Sequence, residues 1–353
     1  MITFNPGPSQ ISPQVKDFMR EFIDQDIGSI SHRSKQFTEI SLSLRNGLKK
    51  YLQIPENYKI CYVASASEAM EVILRSCVVS HSHHLVNGAF SKKFYSVAKQ
   101  IGKMPTKEEL ALGQGKFECL VPQGAELLCL TENETSTGVQ IPLSMIAEIR
   151  QKNPNTLFAV DVTSSAGGVK HDISQADIWF FSVQKCFGLP AWLGIIIFNE
   201  KVLQKTEEVF AKTHDVGAIH SLASMLKKYD DGQTDETPNV FDIFLLSKQL
   251  ESLNTKWIEQ IEMETLEKFR YIEGKLQKLG YTRFVKDDTF ASKTVYVFDC
   301  PKDRQDTLKA TLKKENITIG SGYGDIKDTT LRIANFPSIT HEHLAQLFSF
   351  FSS

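Results

Sequence analysis

Apolar residues along this chain gather into short unbroken runs, separated by stretches in which they recur at helical spacing. From about residue 58 to 200 the two patterns alternate. "YKICYVAS" precedes the helical "SEAMEVILRSCV", and "HHLVNGAF" precedes "SKKFYSVAKQIG". "ELLCLTEN" leads into "IPLSMIAEIRQKN", and "TLFAVDVTSSAGG" leads towards the apolar runs Ile178–Val183 and Trp192–Phe198. Such runs, β-branched and aromatic and bounded by turn residues, read as buried strands. Strands alternating with helices predict an α/β fold, a mostly parallel sheet between two layers of helix. Residues 241–280 lack strand signals and read as long amphipathic helix. Beyond them, "TVYVFDC", "DRQDTLKATLKKE", "ITIGSGYG", "TLRIANF" and "THEHLAQLFSFFS" predict a small α+β unit at the C-terminal end. The expected division is a large domain over residues 16–245 and a small domain formed by 1–15 and 246–353, with 241–280 as the helical connector.

Composition narrows the class without changing it. The 353 residues suffice for about two domains, and 41% hydrophobic with 23% charged residues is an ordinary globular balance. A formal net charge of −2 and the lack of any basic run argue against a nucleic-acid partner. No apolar stretch reaches bilayer length, so no membrane association is expected. "MITFNPGPSQISPQV" has neither a basic region nor an apolar one of signal-peptide type, which makes a cytoplasmic location the expectation. The six cysteines are scattered, without CxxC spacing or a His/Cys cluster, so neither a disulfide framework nor a metal site is indicated.

One charge stands in an unusual place. Lys185 follows the run Ile178–Val183, and lysine is among the least buried residue types. A strand end pointing into solvent would explain it. In open parallel sheets, however, ligands bind beyond the carboxyl ends of the strands, and Asp161 ends the run Leu157–Val160. A buried lysine beside a buried aspartate is what pyridoxal 5′-phosphate requires: the amine takes the aldehyde as a Schiff base, and the carboxylate keeps a proton on the pyridine nitrogen. Two charges alone fit an ordinary ion pair equally well.

Other strand ends add to the pattern. In "YVASASEAMEVI" a strand runs into a helix whose first turn is a ready anion site, with Ala66 small and Ser67 a donor. A serine capping a helix has the same appearance. Phe90 of "VNGAFSKKF" stands at another strand-to-helix turn, where its face could stack on a pyridine ring, although 23 phenylalanines make a core position the commoner meaning. Thr135 of "NETSTG" could bond the ring oxygen or simply belong to a turn.

Together these segments resemble the class V aminotransferases of PLP fold type I. "DVTSSAGG" followed by "FFSVQKCFGLPAWLGIIIF" is similar to that family's aspartate and Schiff-base lysine blocks in order and spacing, and the likeness covers nearly the whole chain. The resemblance implies pyridoxal 5′-phosphate as cofactor, small amino acids and keto acids as substrates, and a homodimer with shared active sites. It implies Lys185 and Asp161 as the catalytic pair, Phe90 as the ring-stacking aromatic and Thr135 at the ring oxygen. Ala66, Ser67 and Gln184 would hold the cofactor phosphate, with Thr237 of "DETPNV" donated by the neighbouring subunit. Ser9 of "NPGPSQ" would lie near the substrate and Arg332 would clamp its α-carboxylate. His32 and Arg33 of "SHRSKQF" would meet a substrate phosphate from the partner subunit.

Two subfamilies are compatible, the phosphoserine and the alanine–glyoxylate/serine–pyruvate aminotransferases; "IPENYKICYVAS" and "LRIANFP" are closer to the first. That subfamily implies amino transfer from glutamate to 3-phosphohydroxypyruvate. Typical phosphoserine enzymes carry a glycine-rich stretch with an arginine where this chain has "ASASEAM", and tryptophan where it has Phe90. Cysteine desulfurases share the fold but use a nucleophilic cysteine on a mobile loop and usually a histidine before the lysine. Here Gln184 precedes Lys185, and Cys300 follows a predicted strand, the place of a buried or edge thiol.

Overall fold

The structure, a computed structural model, describes residues 1–214 and 216–351. In chain order, β1 (Ile2–Phe4), α1 (Val15–Asp24) and α2 (Lys35–Tyr51) precede the alternating region. There β2 (Lys59–Val63), α3 (Ala66–Cys77), β3 (Ser82–Val86), α4 (Ala89–Gln100) and β4 (Thr106–Glu109) follow one another. β5 (Leu127–Thr131) runs into the short hairpin β6 (Asn133–Glu134) and β7 (Val139–Gln140), then α5 (Leu143–Lys152). Next come β8 (Leu157–Asp161), β9 (Ile178–Ser182), β10 (Gly194–Phe198), α6 (Glu200–Thr213), α7 (Leu222–Met225), α8 (Val240–Leu253) and α9 (Ile258–Lys278). The chain closes with β11 (Val295–Asp299), α10 (Lys302–Lys314), β12 (Ile317–Ser321), β13 (Thr330–Ala334) and α11 (His341–Phe348).

The mostly parallel sheet is present, with strand order β2-β10-β9-β8-β5-β3-β4. Only β10 runs against its neighbours, β2 and β9. Period-two geometry sorts the apolar runs onto two faces. Trp179 and Phe181 of β9 join Leu128, Phe158 and Ile195 in one core, while Ile178 and Phe180 join Leu127, Ala159 and Ile196 in another. Both faces of the sheet are covered, which is why its strands lack polar alternation. A second sheet, β1-β12-β13-β11, has its own core around Phe4, Phe298 and Ile333.

Two expectations need correction. Residues 241–280 form two helices, broken over residues 254–257. α8 is apolar nearly all round, burying Ile243 to Leu246, and packs on α2 and α1. α9 is amphipathic: Ile258 and Ile261 join the large sheet's core, and Phe269, Ile272 and Leu276 join the small sheet's. The break lets one segment serve two surfaces of different direction. Trp192, expected inside a buried strand, instead lies before β10 with φ 103° and 69% exposed. Sequence pattern also gives no sign of β4, whose residues Thr106–Glu109 are mostly exposed and charged. It is an edge strand, and charge on an edge blocks further pairing. Among the described residues no helix is long and apolar enough to cross a membrane, and no cluster of three or more His, Cys, Asp or Glu has metal-binding geometry.

Candidate active site

The carboxyl ends of β2, β5, β8 and β9 open into one cleft with about 770 Å³ of free space, its open mouth included. Lys185 stands in its floor, three residues past the end of β9 and 6% exposed. Two backbone bonds fix the turn that carries it, Ser9 N–H to Gln184 O and Gly188 N–H to Lys185 O, both at 3.0 Å. The lysine stem lies against the backbone of Gly7, where a Cβ would come within 2.9 Å of Lys185 Cε; with φ +150° the position suits glycine on both counts. Nζ donates to Thr135 Oγ1 at 2.8 Å and sits 5.1 Å from the centre of the Phe90 ring. Burial pulls the amine down from 10.5 to about 8, against the opposing pull of Asp161, Cys186 and Glu134.

Asp161 ends β8 and is buried. Its Oδ1 accepts from the N–H and the hydroxyl of Thr163. Burial nevertheless raises it to about 6, against those bonds and the attraction of Lys185. The ordinary ion pair is therefore absent: Lys185 bonds Thr135 and Asp161 bonds Thr163, although both line the same cleft. Two opposite charges facing one space, each satisfied by a hydroxyl, fit a molecule whose aldehyde end meets the amine and whose basic ring end meets the carboxylate. Unpartnered buried atoms fit the same picture, since Gln184 Oε1 and Ser9 Oγ have no hydrogen-bond partner.

Helix geometry supplies the opposite wall. Ser65 caps α3, its hydroxyl accepting from Glu68 N–H at 3.2 Å, and Ala66 N–H donates to Ser182 Oγ at 2.6 Å. Ala66 is buried and Ser67 exposed at the mouth. Across the cleft Arg332, on β13 of the small sheet, donates through Nε to Ser321 O at 2.6 Å and through Nη1 to Thr135 O at 3.1 Å. Burial lowers it to about 10. Its hydrogen-bond partners among the described residues are carbonyls, and a planar fork in that condition suits a ligand's carboxylate.

Two features lie outside the set read from sequence, one in the cleft wall and one buried behind it. Tyr323 stacks on Phe90 with ring centres 5.4 Å apart, and Arg332 lies 5.4 Å from the Tyr323 ring centre. Glu134, fully buried, accepts from the N–H groups of Phe90 and Ser91 and from the hydroxyls of Ser91 and Ser136. It thus caps the start of α4, where a negative charge is favoured. Gly88 makes room for it, because a Cβ there would lie 2.4 Å from Glu134 Cγ. The glutamate of "NETSTG" gives no sign of this contact, since its partner helix is more than forty residues away in sequence.

Within one chain, His32, Arg33 and Thr237 do not reach the Lys185 cleft. Arg33 is exposed and donates to Asp235 O at 2.8 Å, to Gln233 Oε1 at 3.3 Å and to Thr234 O. His32 beside it is held below its usual range by partial burial and by the Arg33 charge. Thr237 lines a second cavity with Glu68, Trp192 and Asn239. The loop 233–237 and the turn at Arg33 therefore form one unit. Cys300 is fully buried beside α10, and burial raises its thiol above its usual range.

A profile of the family described as aminotransferase class-V matches residues 1–326. The phosphoserine aminotransferase of Rhodococcus opacus (strain B4) is 29% identical over 350 residues, covering 98% of this chain and 92% of that protein. The crystal structure of a phosphoserine aminotransferase, SerC, from Cytophaga hutchinsonii ATCC 33406 superposes with a TM-score of 0.95 at 40% identity, covering 99% of this chain and 97% of that one. An alanine–glyoxylate aminotransferase from Nostoc sp. superposes with a TM-score of 0.86 at 19% identity, covering 99% and 94%; at that identity the likeness is one of fold.

Proposed function

The chain belongs to the class-V aminotransferases, and from that premise we propose that it transfers the amino group of L-glutamate to 3-phosphohydroxypyruvate, giving O-phospho-L-serine and 2-oxoglutarate, a step of serine biosynthesis. Its cofactor is pyridoxal 5′-phosphate. The observation that carries the catalytic reading is that Lys185 and Asp161 face one cleft without pairing. The substrate reading draws its support from relatives named phosphoserine aminotransferase over nearly the whole chain.

Bound there, the cofactor supplies an aldehyde that takes up the amino group and a ring that stabilises negative charge at the substrate Cα. Asp161 holds the proton on the ring nitrogen. Phe90 and Thr135 orient the ring by its face and its oxygen. Ala66 and Gln184 would hold its phosphate, aided by the first-turn dipole of α3. Arg332 grips the α-carboxylate and thereby turns the Cα–H towards Lys185. The Lys185 amine, whose pKa burial lowers to about 8, is placed to take the substrate Cα proton as a general base. Pro6, Gly7, Pro8 and Tyr323 narrow the mouth against water. Ser9 adds a hydroxyl next to Gln184.

The enzyme works as a cytoplasmic homodimer in this reading. His32, Arg33 and Thr237 belong to the partner's site, which agrees with their shared unit lying away from their own Lys185. The stretch "ASASEAM", where typical phosphoserine enzymes carry an arginine, and Phe90, where they have tryptophan, favour the second reading, an alanine–glyoxylate or serine–pyruvate aminotransferase. The two are separated by mixing the yellow holoenzyme with phosphoserine, serine or alanine and following the cofactor absorbance. Phosphoserine should convert the cofactor to its aminated form fastest per unit concentration; faster conversion by alanine or serine would overturn the phosphoserine assignment.

A further inference from the structure

A cation beside the cleft comes from Lys93, a residue of "VNGAFSKKF" to which the sequence assigned no role. Phe90 and Lys93 are three residues apart on α4, so they share a face of the helix. Phe90 lines the cleft, and one turn further on Lys93 reaches across to α3, its Nζ donating to Ser67 Oγ at 2.6 Å. Ser67 is the second residue of α3, where first-turn N–H groups and the helix dipole favour negative charge. A neutral hydroxyl leaves the ammonium charge unmatched, and among the described residues Lys93 makes no ion pair with a carboxylate. The inner part of the same wall is different in kind: Ala66 N–H, Ser182 and Gln184 are buried or half-buried and reach inwards. Ser67, which lines the cleft, and Lys93, which bonds to it, are both exposed.

We propose that Lys93 binds the phosphate group of the phosphorylated substrate, with Ser67 as its neighbouring donor, while the inner donors serve the cofactor's phosphate. The proposal rests on the phosphoserine reading above and adds a cation from the same subunit to that of Arg33 from the partner. It also gives Ser67 a reason to be small: a longer side chain there would occupy the space into which Lys93 reaches.

The test compares wild type, Lys93→Ala and Lys93→Arg as holoenzymes in three measurements. These are kcat/KM for phosphoserine and for glutamate, the dissociation constant of 3-phosphoglycerate read from the cofactor absorbance, and cofactor release by equilibrium dialysis. Lys93→Ala should lose about 10- to 100-fold for phosphoserine and for 3-phosphoglycerate, the scale of one charge-assisted bond, while glutamate changes by less than about twofold. Lys93→Arg should restore most of the loss, and cofactor release should stay at the wild-type rate. An equal loss for glutamate and phosphoserine with faster cofactor release would move Lys93 to the cofactor's phosphate and overturn the assignment. Unchanged phosphoserine kinetics and 3-phosphoglycerate affinity would make it a solvated lysine. A wild type without activity on phosphoserine sinks the functional reading itself. The 3-phosphoglycerate titration, which needs no turnover, then still decides whether Lys93 holds a phosphate.

Discussion

Glu134 holds Phe90 by its backbone: the Phe90 N–H lies 3.2 and 3.1 Å from the two carboxylate oxygens of a glutamate with no exposure to solvent. The aromatic face at the cofactor site is therefore aimed by the hairpin that also carries Thr135. Glu134→Ala would leave two helix N–H groups and the Ser136 hydroxyl without their acceptor, at about 1–3 kcal/mol for each buried group left unpaired. Thermal unfolding should show a clear loss of stability, and cofactor affinity should fall with it. Glu134→Gln, which keeps an acceptor, should retain more of both. Unaltered cofactor affinity in Glu134→Ala would show that Phe90 is positioned by other contacts.

Lys185 should be the residue that holds the cofactor covalently. Borohydride reduction of the yellow protein, followed by peptide mapping, should place the reduced cofactor on Lys185. Lys185→Ala should still bind pyridoxal 5′-phosphate while losing nearly all turnover. Label on any other lysine would refute the assignment.

The two buried charges make the apoprotein's stability depend on pH in opposite directions. Lys185 is lowered to about 8, so between about 8 and 10.5 the unfolded chain binds the proton and the folded chain does not. Stability then rises with pH through that window, and below about 8 the burial cost is fully present. Asp161 is raised to about 6, so the folded chain keeps its proton from 3.8 up to about 6 and stability falls with pH there. Both costs coexist between about 6 and 8. Adding cofactor should raise the melting temperature most in that interval, and the rate of reconstitution should climb through about pH 8 as the amine becomes neutral. Thermal-shift and absorbance measurements across pH check both; a flat pH profile contradicts the burial argument.

The shared site proposed above predicts complementation between inactive and impaired chains. Mixing inactive Lys185→Ala chains with impaired Arg33→Ala chains should raise activity on phosphoserine above that of Arg33→Ala alone, because one hybrid site holds an intact Lys185 and a partner's intact Arg33. Confirmed heterodimers with no recovered activity would place Arg33 outside the partner's site.

Carboxylate and phosphate recognition should separate by mutation. Arg332→Ala should impair both half-reactions, since every substrate presents an α-carboxylate. Arg33→Ala should lower kcat/KM for phosphoserine by about 10- to 100-fold and affect glutamate far less. Equal losses in Arg33→Ala would remove the phosphate assignment.

What could be read from the chain follows from which contacts are local. Lys185 and Asp161 end apolar runs, and strand ends of a parallel sheet converge by topology, so their place in one cleft was legible, as was that of Thr135, Ala66, Gln184 and Phe90 at their turns. Arg332 was legible only through resemblance, because its approach depends on how the small sheet sits. Glu134, Tyr323 and Lys93 were missed for a related reason: each meets its partner across a distance in sequence that no periodicity encodes. "SHRSKQF" was read as an anion-binding segment, yet its Ser34 also caps α2 by accepting from Phe37 N–H at 3.1 Å. The break after α8 carries neither proline nor glycine, and what imposes it is the change of packing surface rather than a local breaker.

Arg332 enters the cleft from the four-stranded sheet, and Lys185 and Asp161 enter it from the seven-stranded one. In an amino acid the carboxylate and the amino group hang from the same carbon. A substrate gripped by Arg332 while its nitrogen is engaged above Lys185 is thus a one-atom rivet between the two halves of the molecule. Any hinge motion between the sheets stretches or shortens that rivet directly. A ligand lacking either group would hold only one of the two sheets.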